Sequence, residues 1–439
     1  MSFLKAIMPQ WLVKFVRPYY HGVLALLGGI YFRRPGDNLV VIGITGTAGK
    51  STTAAMINHI LNAAGKKCGY ITTVDFFDGD RHYLNKHGLS MPGGWLLQKS
   101  LRQMADAGCK CAVVECTSEG LAQNRHLGIN FDAALFTNLS NAHLEAHGSF
   151  GNYRQAKSKL FSALANSSKK SFFPQKIIGA NLDDPTSGFF VSFPADKKFG
   201  VSFRGLKVSA VDRVFNAELQ GSGSPAVFTL DGVSFAVNLL GAFNCQNAAL
   251  AAACANMLGI NLERASSALA GFNGVRGRME QVSNSLGLNI IVDYGCEPAS
   301  FKAAVEAAAQ LPHNRLIHVF GSTGGHRDKS KRFEFGKTSA QYADYIIITN
   351  DDVYDSDPLE IAGNIELGVR NFELRKPKYE TVLDRKASIA RALSIAQKND
   401  IVLITGKGSE QFLVLPGNKR IQWDEVSVVR EELGKLDIN

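Results

Sequence analysis

Short apolar runs alternate with amphipathic segments along most of this chain. From Asp37 to about residue 190, each apolar run predicts a strand, and the helical spacing after it predicts a helix. The predicted strands are Leu39–Ile44, Gly69–Phe77, Cys111–Cys116, Phe131–Asn138 and Ile177–Leu182, and the predicted helices are Lys50–Ala64, Gly94–Gly108, Gly120–Leu127 and Tyr153–Ala165. This alternation is typical of a mostly parallel, doubly wound α/β sheet, which binds ligands at the carboxyl ends of its strands.

The pattern changes twice further along the chain. Residues 191–240 contain β-rich runs separated by Gly, Ser and Pro, and two helices are predicted between Asn244 and Ala270. After a glycine-rich break at Phe272–Gly277, strands and helices alternate again as far as Lys435. We therefore predict an N-terminal extension at 1–37, a central nucleotide-binding α/β domain at 38–272 and a C-terminal Rossmann-like α/β domain at 273–439.

The glycine-rich turn after strand Leu39–Ile44 is the clearest sign of chemistry. It reads Thr45-Gly-Thr-Ala-Gly-Lys-Ser-Thr52, and a helix pattern begins at Lys50. Backbone N–H groups of such a turn point at phosphate oxygens, the lysine reaches the outer phosphates, and the serine hydroxyl binds Mg²⁺. The usual motif has Gly where this chain has Ile44, but Gly-Lys-Ser opening a helix after a strand still indicates a nucleotide site.

Polar residues also follow other predicted strands. Glu115 ends a strand, where a carboxylate either binds Mg²⁺ beside the γ-phosphate or pairs with a lysine. His143 and His147 follow the strand that ends at Asn138 and are candidates for a metal ligand. Lys157, by position alone, is an exposed helix lysine. Glycine turns at 320–332 and 405–410 lie on one edge of the second sheet and suit a carboxylate or a phosphate.

The composition of the chain indicates its cellular compartment and the kinds of ligand it binds. The chain has 439 residues, a net charge of +9 and a pI near 9.1, which suit anionic ligands such as nucleotides or acidic cell-wall precursors. It has no arginine–aromatic run or known nucleic-acid module, so we expect no nucleic-acid partner. Seven cysteines without a Cys-x-x-Cys pair indicate reduced thiols in the cytoplasm.

Residues 1–34 are basic, apolar and aromatic, with no acidic residue before Asp37. The longest uncharged run is too short to span a bilayer as a helix, which needs about 20 apolar residues. Two interpretations remain open. The segment is either a helical extension packed on the central domain or an interfacial segment resting on the inner face of an anionic membrane.

Taken together, the motifs over residues 38–430 resemble those of the Mur ligases, ATP-dependent amide-bond-forming enzymes of peptidoglycan precursor synthesis, and most of all the tripeptide synthetases. The matching segments are Thr45–Ser51, Glu115–Ser118, Phe136–Leu139, His143–Gly148, Ala156–Lys157, Gly241–Asn247, Gly274–Glu280, Asp293–Tyr294, Gly324–Lys329, Asp384–Arg385 and Gly406–Glu410.

The resemblance implies a mechanism with ATP, two Mg²⁺ ions and a carbamylated lysine. A peptide carboxylate is phosphorylated to an acyl phosphate, which the amine of a free amino acid then attacks. Four residues would be catalytic: Lys50, Glu115, His143 and Lys157, the last as the carbamate. Ser51, Glu115, His143 and Lys157 would hold the metal. The nucleotide would contact Thr45, Gly46, Thr47, Ala48, Gly49, Lys50, Ser51, Thr52, Asn244, Asn247, Arg278 and Asp293. The acceptor and the amino acid would contact Ser90, Thr117, Ser118, Arg125, Asp351, Gly406 and Glu410.

This chain departs from the family pattern at several motifs. Ala142 stands where the family usually has Asp before the histidine. Cys296 stands where the usual Ala-His-Thr-Pro segment has its histidine. The motif that grips diaminopimelate reads Asp351-Asp-Val-Tyr354 and lacks its arginine. The third amino acid is therefore open, and the nearby carboxylates favour a cationic side chain.

The family usually carries a UDP-binding domain before the phosphate loop, where this sequence has the short basic segment. The acceptor is thus expected to be either a UDP-muramoyl-peptide or a lipid-linked precursor. The other functions that remain open are a polyglutamate-type ligase and a nucleotide-binding protein with a decayed site.

Overall fold

The computed structural model describes residues 10–85, 91–140, 147–325 and 327–436. The helices of this part of the chain are α1 (Gln10–Tyr31), α2 (Lys50–Ala63), α3 (Gly94–Asp106), α4 (Ser118–Ala122), α5 (Phe150–Asn166), α6 (Ser187–Val191), α7 (Ala242–Met257), α8 (Leu262–Ala270), α9 (Pro298–Ala309), α10 (Ser330–Tyr342), α11 (Pro358–Arg370), α12 (Arg385–Ile395) and α13 (Glu425–Leu436).

The strands fall into three sheets. They are β1 (Val40–Thr45), β2 (Cys68–Ile71), β3 (Asp75–Phe77), β4 (His82–Leu84), β5 (Cys111–Glu115), β6 (Ala133–Phe136), β7 (Ile177–Asn181), β8 (Lys197–Ser202), β9 (Arg213–Gly221), β10 (Ala226–Leu230), β11 (Val233–Val237), β12 (Glu280–Val282), β13 (Asn289–Asp293), β14 (Leu316–Phe320), β15 (Tyr345–Ile348), β16 (Lys378–Thr381), β17 (Ile401–Thr405), β18 (Phe412–Leu415) and β19 (Lys419–Gln422).

The central sheet has the order β11-β10-β9-β8-β7-β6-β1-β5-β2-β3-β4. The strands from β9 to β2 in this order pair in parallel, and the hairpins at both edges are antiparallel. Helices α2, α7 and α8 pack on one face, and α3, α5 and α6 pack on the other. Apolar layers on both faces explain why β1 and β5 are buried along nearly their whole length. The predicted doubly wound α/β sheet is confirmed.

The second sheet has the order β12-β13-β17-β14-β15-β16 and is parallel except at β12. Helices α9, α10 and α11 cover one face, and α12 and α13 cover the other. Strands β18 and β19 form a separate hairpin. This unit matches the predicted C-terminal α/β domain, and its carboxyl edge bears the glycine turns at 321–325 and 406–408.

Some predicted elements differ from the structure. Gly69–Phe77 is not one strand, because the chain turns at Thr72 and β3 runs back along β2. The Thr72 hydroxyl stabilises the turn, since it accepts the N–H groups of Val74 and Asp75. The helix predicted at Gly120–Leu127 is α4, which begins earlier, at Ser118, and ends at Ala122.

The N-terminal helix α1 lies against α3 and the loop at 124–128. Small residues make the close approach possible: a Cβ atom on Gly94 would lie 2.3 Å from Ala25 Cβ, and one on Gly28 would lie 3.1 Å from Trp95 Cα. The helix thus packs on the central α/β unit, as the first interpretation states, and this contact leaves its opposite face exposed, so the two interpretations are compatible. No helix in the described part of the chain is long and apolar enough to cross a membrane.

Candidate active site

The phosphate loop lies between β1 and α2 and is held from behind by the loop that follows β6. Asn138 accepts the Thr47 N–H at its carbonyl oxygen (2.8 Å) and the Ala48 N–H at its Oδ1 (2.9 Å). Gly46 and Gly49 have φ angles of 151° and 81°. Any Cβ would lie 1.9 Å from Thr137 Oγ1 at Gly46 and 2.2 Å from Asn247 Oδ1 at Gly49. Glycine is therefore required at both positions.

Glu115 lies beside this loop, because β1 pairs with β5 and Ile44 is opposite Glu115. The Ser51 hydroxyl donates to Glu115 Oε2 at 2.6 Å. Thr73 donates its N–H to Oε2 and its hydroxyl to Oε1, both at 2.9 Å. Lys50 Nζ lies 3.9 Å from Oε1 and donates to the Thr47 carbonyl at 2.8 Å. A carboxylate and a hydroxyl next to a phosphate loop form an oxygen donor set of the kind Mg²⁺ prefers.

Lys157 lies on α5 under the same loop, with only 1% of its surface exposed. Its Nζ donates to the Gly46 carbonyl at 2.6 Å and lies 4.4 Å from the centre of the Tyr153 ring. Burial lowers the pKa of Lys157 well below its usual value, and the charge of Lys50 adds to this shift, whereas Glu115 opposes it. The exposed position predicted from helical spacing alone is wrong, because α5 packs this face against β1 and its loop.

A cavity of about 300 Å³ separates the phosphate loop from the second sheet. Arg278 lies 4.2 Å above the Tyr294 ring, and its Nε is buried without a hydrogen-bond partner among the described residues. Asp293 accepts the N–H groups of Met279 (2.8 Å) and Gly295 (2.6 Å), and burial raises the pKa of its carboxyl. The cavity is lined by residues from both α/β units, among them Ala48, Gly49, Thr52, Asn244, Asn247, Arg278, Asp293 and Ser300.

On the other side of the loop, polar side chains lead away from the phosphate site. The Thr47 hydroxyl is 3.1 Å from the Tyr153 hydroxyl. The Tyr153 ring lies 5.3 Å from the ring of His147, whose Nε2 is 3.1 Å from Ser118 Oγ. The Thr117 hydroxyl caps α4.

Arg125 lies further along the same loop region. It is buried and donates to the Met91 carbonyl and to Gln123 Oε1. Burial lowers the pKa of Arg125.

The carboxyl edge of the second sheet carries a compact charge cluster. Lys407 is fully buried and pairs with Asp352 Oδ1 (2.9 Å) and with Glu410 Oε2, and it lies 3.9 Å from Asp351 Oδ1. Glu410 also accepts from the Tyr294 hydroxyl at 3.3 Å. Burial acts to lower the pKa of Lys407, but the carboxylates of Glu410, Asp351 and Asp352 together raise it above its usual value. Lys407 therefore already balances part of the negative charge of this acidic group, and no sequence pattern predicted this pairing.

The chain is similar to known proteins in both sequence and structure. Residues 44–255 match the Mur ligase middle domain, and residues 277–408 match the Mur ligase, glutamate ligase domain. The UDP-N-acetylmuramoyl-L-alanyl-D-glutamate–2,6-diaminopimelate ligase of Geobacillus kaustophilus is 35% identical over 415 residues, which are 93% of this chain and 81% of that protein. The UDP-N-acetylmuramyl-tripeptide synthetase of a Roseiflexus species is 34% identical over 433 residues, 94% of this chain and 82% of that protein.

The chain belongs to the Mur ligase family. A solved diaminopimelate ligase of this family has a TM-score of 0.60 and 28% identity, and the match covers 91% of this chain and 79% of that one. The MurF ligase of Thermotoga maritima, solved with ADP, has a TM-score of 0.68 over 95% of this chain and 84% of that one, and at 19% identity it shows the shared fold. This Mur ligase is therefore an ATP-dependent acid–amino-acid ligase of peptidoglycan precursor synthesis.

Mur ligases use ATP and Mg²⁺, and the residues of this site suit both. The unpaired Arg278 Nε and the unpaired Thr45 hydroxyl are buried donors that lack a partner among the described residues. Ser51 and Glu115 supply adjacent oxygen ligands. Among the described residues, no group of three or more His, Cys, Asp or Glu side chains is arranged to hold a metal ion. His143 and Ser90, both expected at this site, lie outside the described residues.

Several residues of this Mur ligase site were not expected from the sequence. Thr73 donates hydrogen bonds that position Glu115. The only sequence feature that could have identified Thr73 is its place after β2, at the carboxyl edge of the sheet. Tyr153 lies in a helical segment and Lys407 in a glycine-rich turn. Neither pattern predicts the contact of Tyr153 with Thr47 or of Lys407 with Asp352. Asn138 belongs to a motif that was singled out, although its role in holding the loop was not predicted.

Proposed function

We propose that this Mur ligase joins a free amino acid to the terminal carboxylate of a UDP-muramoyl-peptide through an acyl phosphate. The observation that carries the proposal is the arrangement around the phosphate loop: Lys50, Ser51, Glu115 and Lys157 converge on one side, and Arg278 and Asp293 close the cavity on the other. The names of the relatives support the acceptor class, since both act on UDP-N-acetylmuramoyl peptides.

In the first step, a carboxylate oxygen of the acceptor attacks the γ-phosphorus of ATP, and the bond to the ADP oxygen breaks. Two anions must approach each other, so the site has to neutralise charge. Lys50 and the N–H groups of the loop would supply positive charge to the phosphates from one side, and Arg278 would do so from the second α/β unit. In the second step, the amine attacks the acyl carbon, inorganic phosphate leaves with the former carboxylate oxygen, and the amine loses a proton.

We propose that Lys157 carries a carbamate, formed from the neutral amine and CO₂ with release of one proton. Only a neutral amine is a nucleophile, and the lowered pKa of Lys157 favours that form. The resulting carboxylate, together with Ser51, Glu115 and His143, would hold two Mg²⁺ ions. When bound, the ions would neutralise charge on the transferred phosphoryl group.

The remaining proposed contacts, to the nucleotide, the acceptor and the amino acid, are divided between the two sides of the phosphate loop. Asn244 and Asn247 would meet the nucleotide, and Asp293 the ribose. Ser90, Thr117, Ser118 and Arg125 would hold the acceptor, since Ser118 is linked through His147 to Tyr153 and the phosphate loop. Asp351, Gly406 and Glu410 would contact the incoming amino acid at the edge of the second sheet. Free thiols at all seven cysteines, six of them buried, support a cytoplasmic location.

The test is phosphate release from ATP with purified full-length protein, UDP-muramoyl-dipeptide and each of a panel of amino acids. The proposal predicts release only when both substrates are present, with a new amide product detected by mass spectrometry. Turnover with a lipid-linked or polyglutamate acceptor instead would identify a different acceptor. ATP binding without turnover for any combination would indicate a decayed site.

A further inference from the structure

The outer face of α1 is made of large apolar side chains that contact solvent. Its exposed members range from 37% (Val16) to 69% (Tyr31) of full exposure. They recur at the three- and four-residue spacing that places side chains on one helix face. The face, which we call the α1 apolar face, consists of Phe15, Val16, Tyr19, Val23, Leu26, Leu27, Ile30 and Tyr31. Trp95 extends it, with its ring 5.1 Å from that of Tyr31.

This arrangement is the reverse of an ordinary surface helix, which buries its large apolar residues and exposes polar ones. In α1 the buried face carries Gly22, Ala25, Gly28 and Gly29. A side chain at Gly22 would meet Leu127 at 3.3 Å, so the small residues set how closely the helix packs. Packing on the central α/β unit thus fixes α1 with its apolar face outward. A contiguous exposed apolar face of this kind marks an interaction site.

Basic residues lie at both ends of the α1 apolar face. Arg33 and Arg34 are exposed just after its end, Arg17 is half-buried near its start with its Nε buried, and the helix carries no charged residue between Pro18 and Tyr31. The first acidic residue of the whole chain is Asp37. Aromatic and aliphatic side chains flanked by cations match the boundary between lipid headgroups and acyl chains of an anionic bilayer.

A second copy of the chain fits this face less well. Packing two α1 apolar faces antiparallel would bring Arg17 of one copy toward Arg33 and Arg34 of the other. Packing them in parallel would place each cation beside its own equivalent. Neither arrangement offers an acidic partner from the helix itself, so the ends would repel.

We propose that the α1 apolar face docks this ligase onto an anionic phospholipid surface, lying in the interface without crossing it.

The experiment measures co-sedimentation of the full-length protein with vesicles of equal parts phosphatidylglycerol and phosphatidylcholine, and with phosphatidylcholine alone. Leu27→Glu/Ile30→Glu places two carboxylates on the face at exposed positions. The matched control is Leu359→Glu/Leu374→Glu, which makes the same change at two exposed leucines of the second α/β unit. A third variant, Arg33→Gln/Arg34→Gln, removes only charge. Thermal unfolding and light scattering of each variant report folding and oligomeric state.

We expect the wild type and the control to bind anionic vesicles and to bind neutral ones at least tenfold more weakly. The Leu27→Glu/Ile30→Glu variant should lose at least tenfold in partitioning with an unchanged melting temperature. Binding by the arginine variant should fall and become less sensitive to salt. The proposal is overturned if the wild type stays in the supernatant, or if the glutamate variant pellets like the wild type. The face would instead be a contact between two copies if the wild type is a dimer that does not bind vesicles and the glutamate variant is a monomer.

Discussion

The amine of Lys157 lies beneath the phosphate loop, where burial and the charge of Lys50 both disfavour its protonated form. We predict that Lys157→Ala lowers phosphate release at least a hundredfold, because it removes the carboxylate that the carbamate would supply. Short carboxylic acids such as acetate should restore part of the activity by occupying the space left by the side chain. Steady-state release with and without acetate measures this. Exposed Lys169→Ala is the control, and full activity of Lys157→Ala would exclude the carbamate.

The same amine makes a prediction about stability. Because the folded pKa of Lys157 lies below the usual 10.5, the unfolded chain binds a proton that the folded chain excludes. Stability from this position therefore falls as pH drops below about 10.5. Lys157→Met removes the titration. The melting temperature of the variant minus that of the wild type should therefore increase as pH is lowered from 10 to 7 in CO₂-free buffer. A difference that stays constant with pH would mean that Lys157 remains charged when folded.

Strand β14 carries a second buried base, His318, at the centre of the second sheet. Its Nδ1 is 2.9 Å from Ser339 Oγ on α10, and its Nε2 is 3.0 Å from Thr405 Oγ1 at the end of β17. Burial lowers the pKa of His318 from 6.5 to about 3. Unfolded chains therefore gain a proton below pH 6.5 that the folded sheet excludes until about pH 3, so stability is lost as pH falls through this window.

We predict that His318→Asn loses less stability than the wild type when pH drops from 7 to 5. The difference should be about 2 kcal/mol, from the histidine pKa shift and proton linkage. Urea unfolding at the two pH values measures it. Parallel changes in wild type and variant would show that His318 titrates normally in the folded protein.

Elements with a strong apolar signal could be predicted from the sequence, and weakly apolar ones could not. Helix α2 and strand β5 were each predicted to within one residue at both ends, since their apolar patterns are periodic or continuous. Strand β9 was missed because only Phe215 and Ala217 of its residues are buried. Helix α11 was also missed, although Asp357 caps it and Pro358 occupies its first turn, both of which are recognisable start signals.

For the candidate site, the sequence indicated the residues that belong to motifs and gave no sign of those that tertiary packing brings beside them. The phosphate loop and Glu115 follow strands, so their meeting at one sheet edge was predictable from fold class. The insertion of Lys407 among three carboxylates was not, because it depends on how the turns after β15 and β17 meet. The burial of Lys157 likewise depends on how α5 packs.

At the scale of the whole molecule, the cavity proposed to bind the nucleotide is lined by residues of both α/β units. Arg278 belongs to the second unit, and burial leaves its Nε without a partner among the described residues. We predict that Mg²⁺·ATP at 100 times its Kd stabilises the wild type by about 2.7 kcal/mol. Arg278→Ala should need at least tenfold more nucleotide for the same shift in melting temperature.

The matched control for this variant is Arg276→Ala, two residues away. Arg276 pairs with Asp424 at 2.5 Å outside the cavity, so its loss should leave the nucleotide-induced shift unchanged. An equal shift in Arg278→Ala and the wild type would remove Arg278 from the nucleotide site.

The central claim is that the site transfers the γ-phosphoryl group to a carboxylate rather than to water. The most direct measurement uses an acceptor peptide whose reactive carboxylate is labelled with ¹⁸O. An acyl phosphate requires that one carboxylate oxygen leaves with the phosphate, so mass spectrometry should find one ¹⁸O in each phosphate released with amide formation. Phosphate that is released at the same rate without the label would contradict the account.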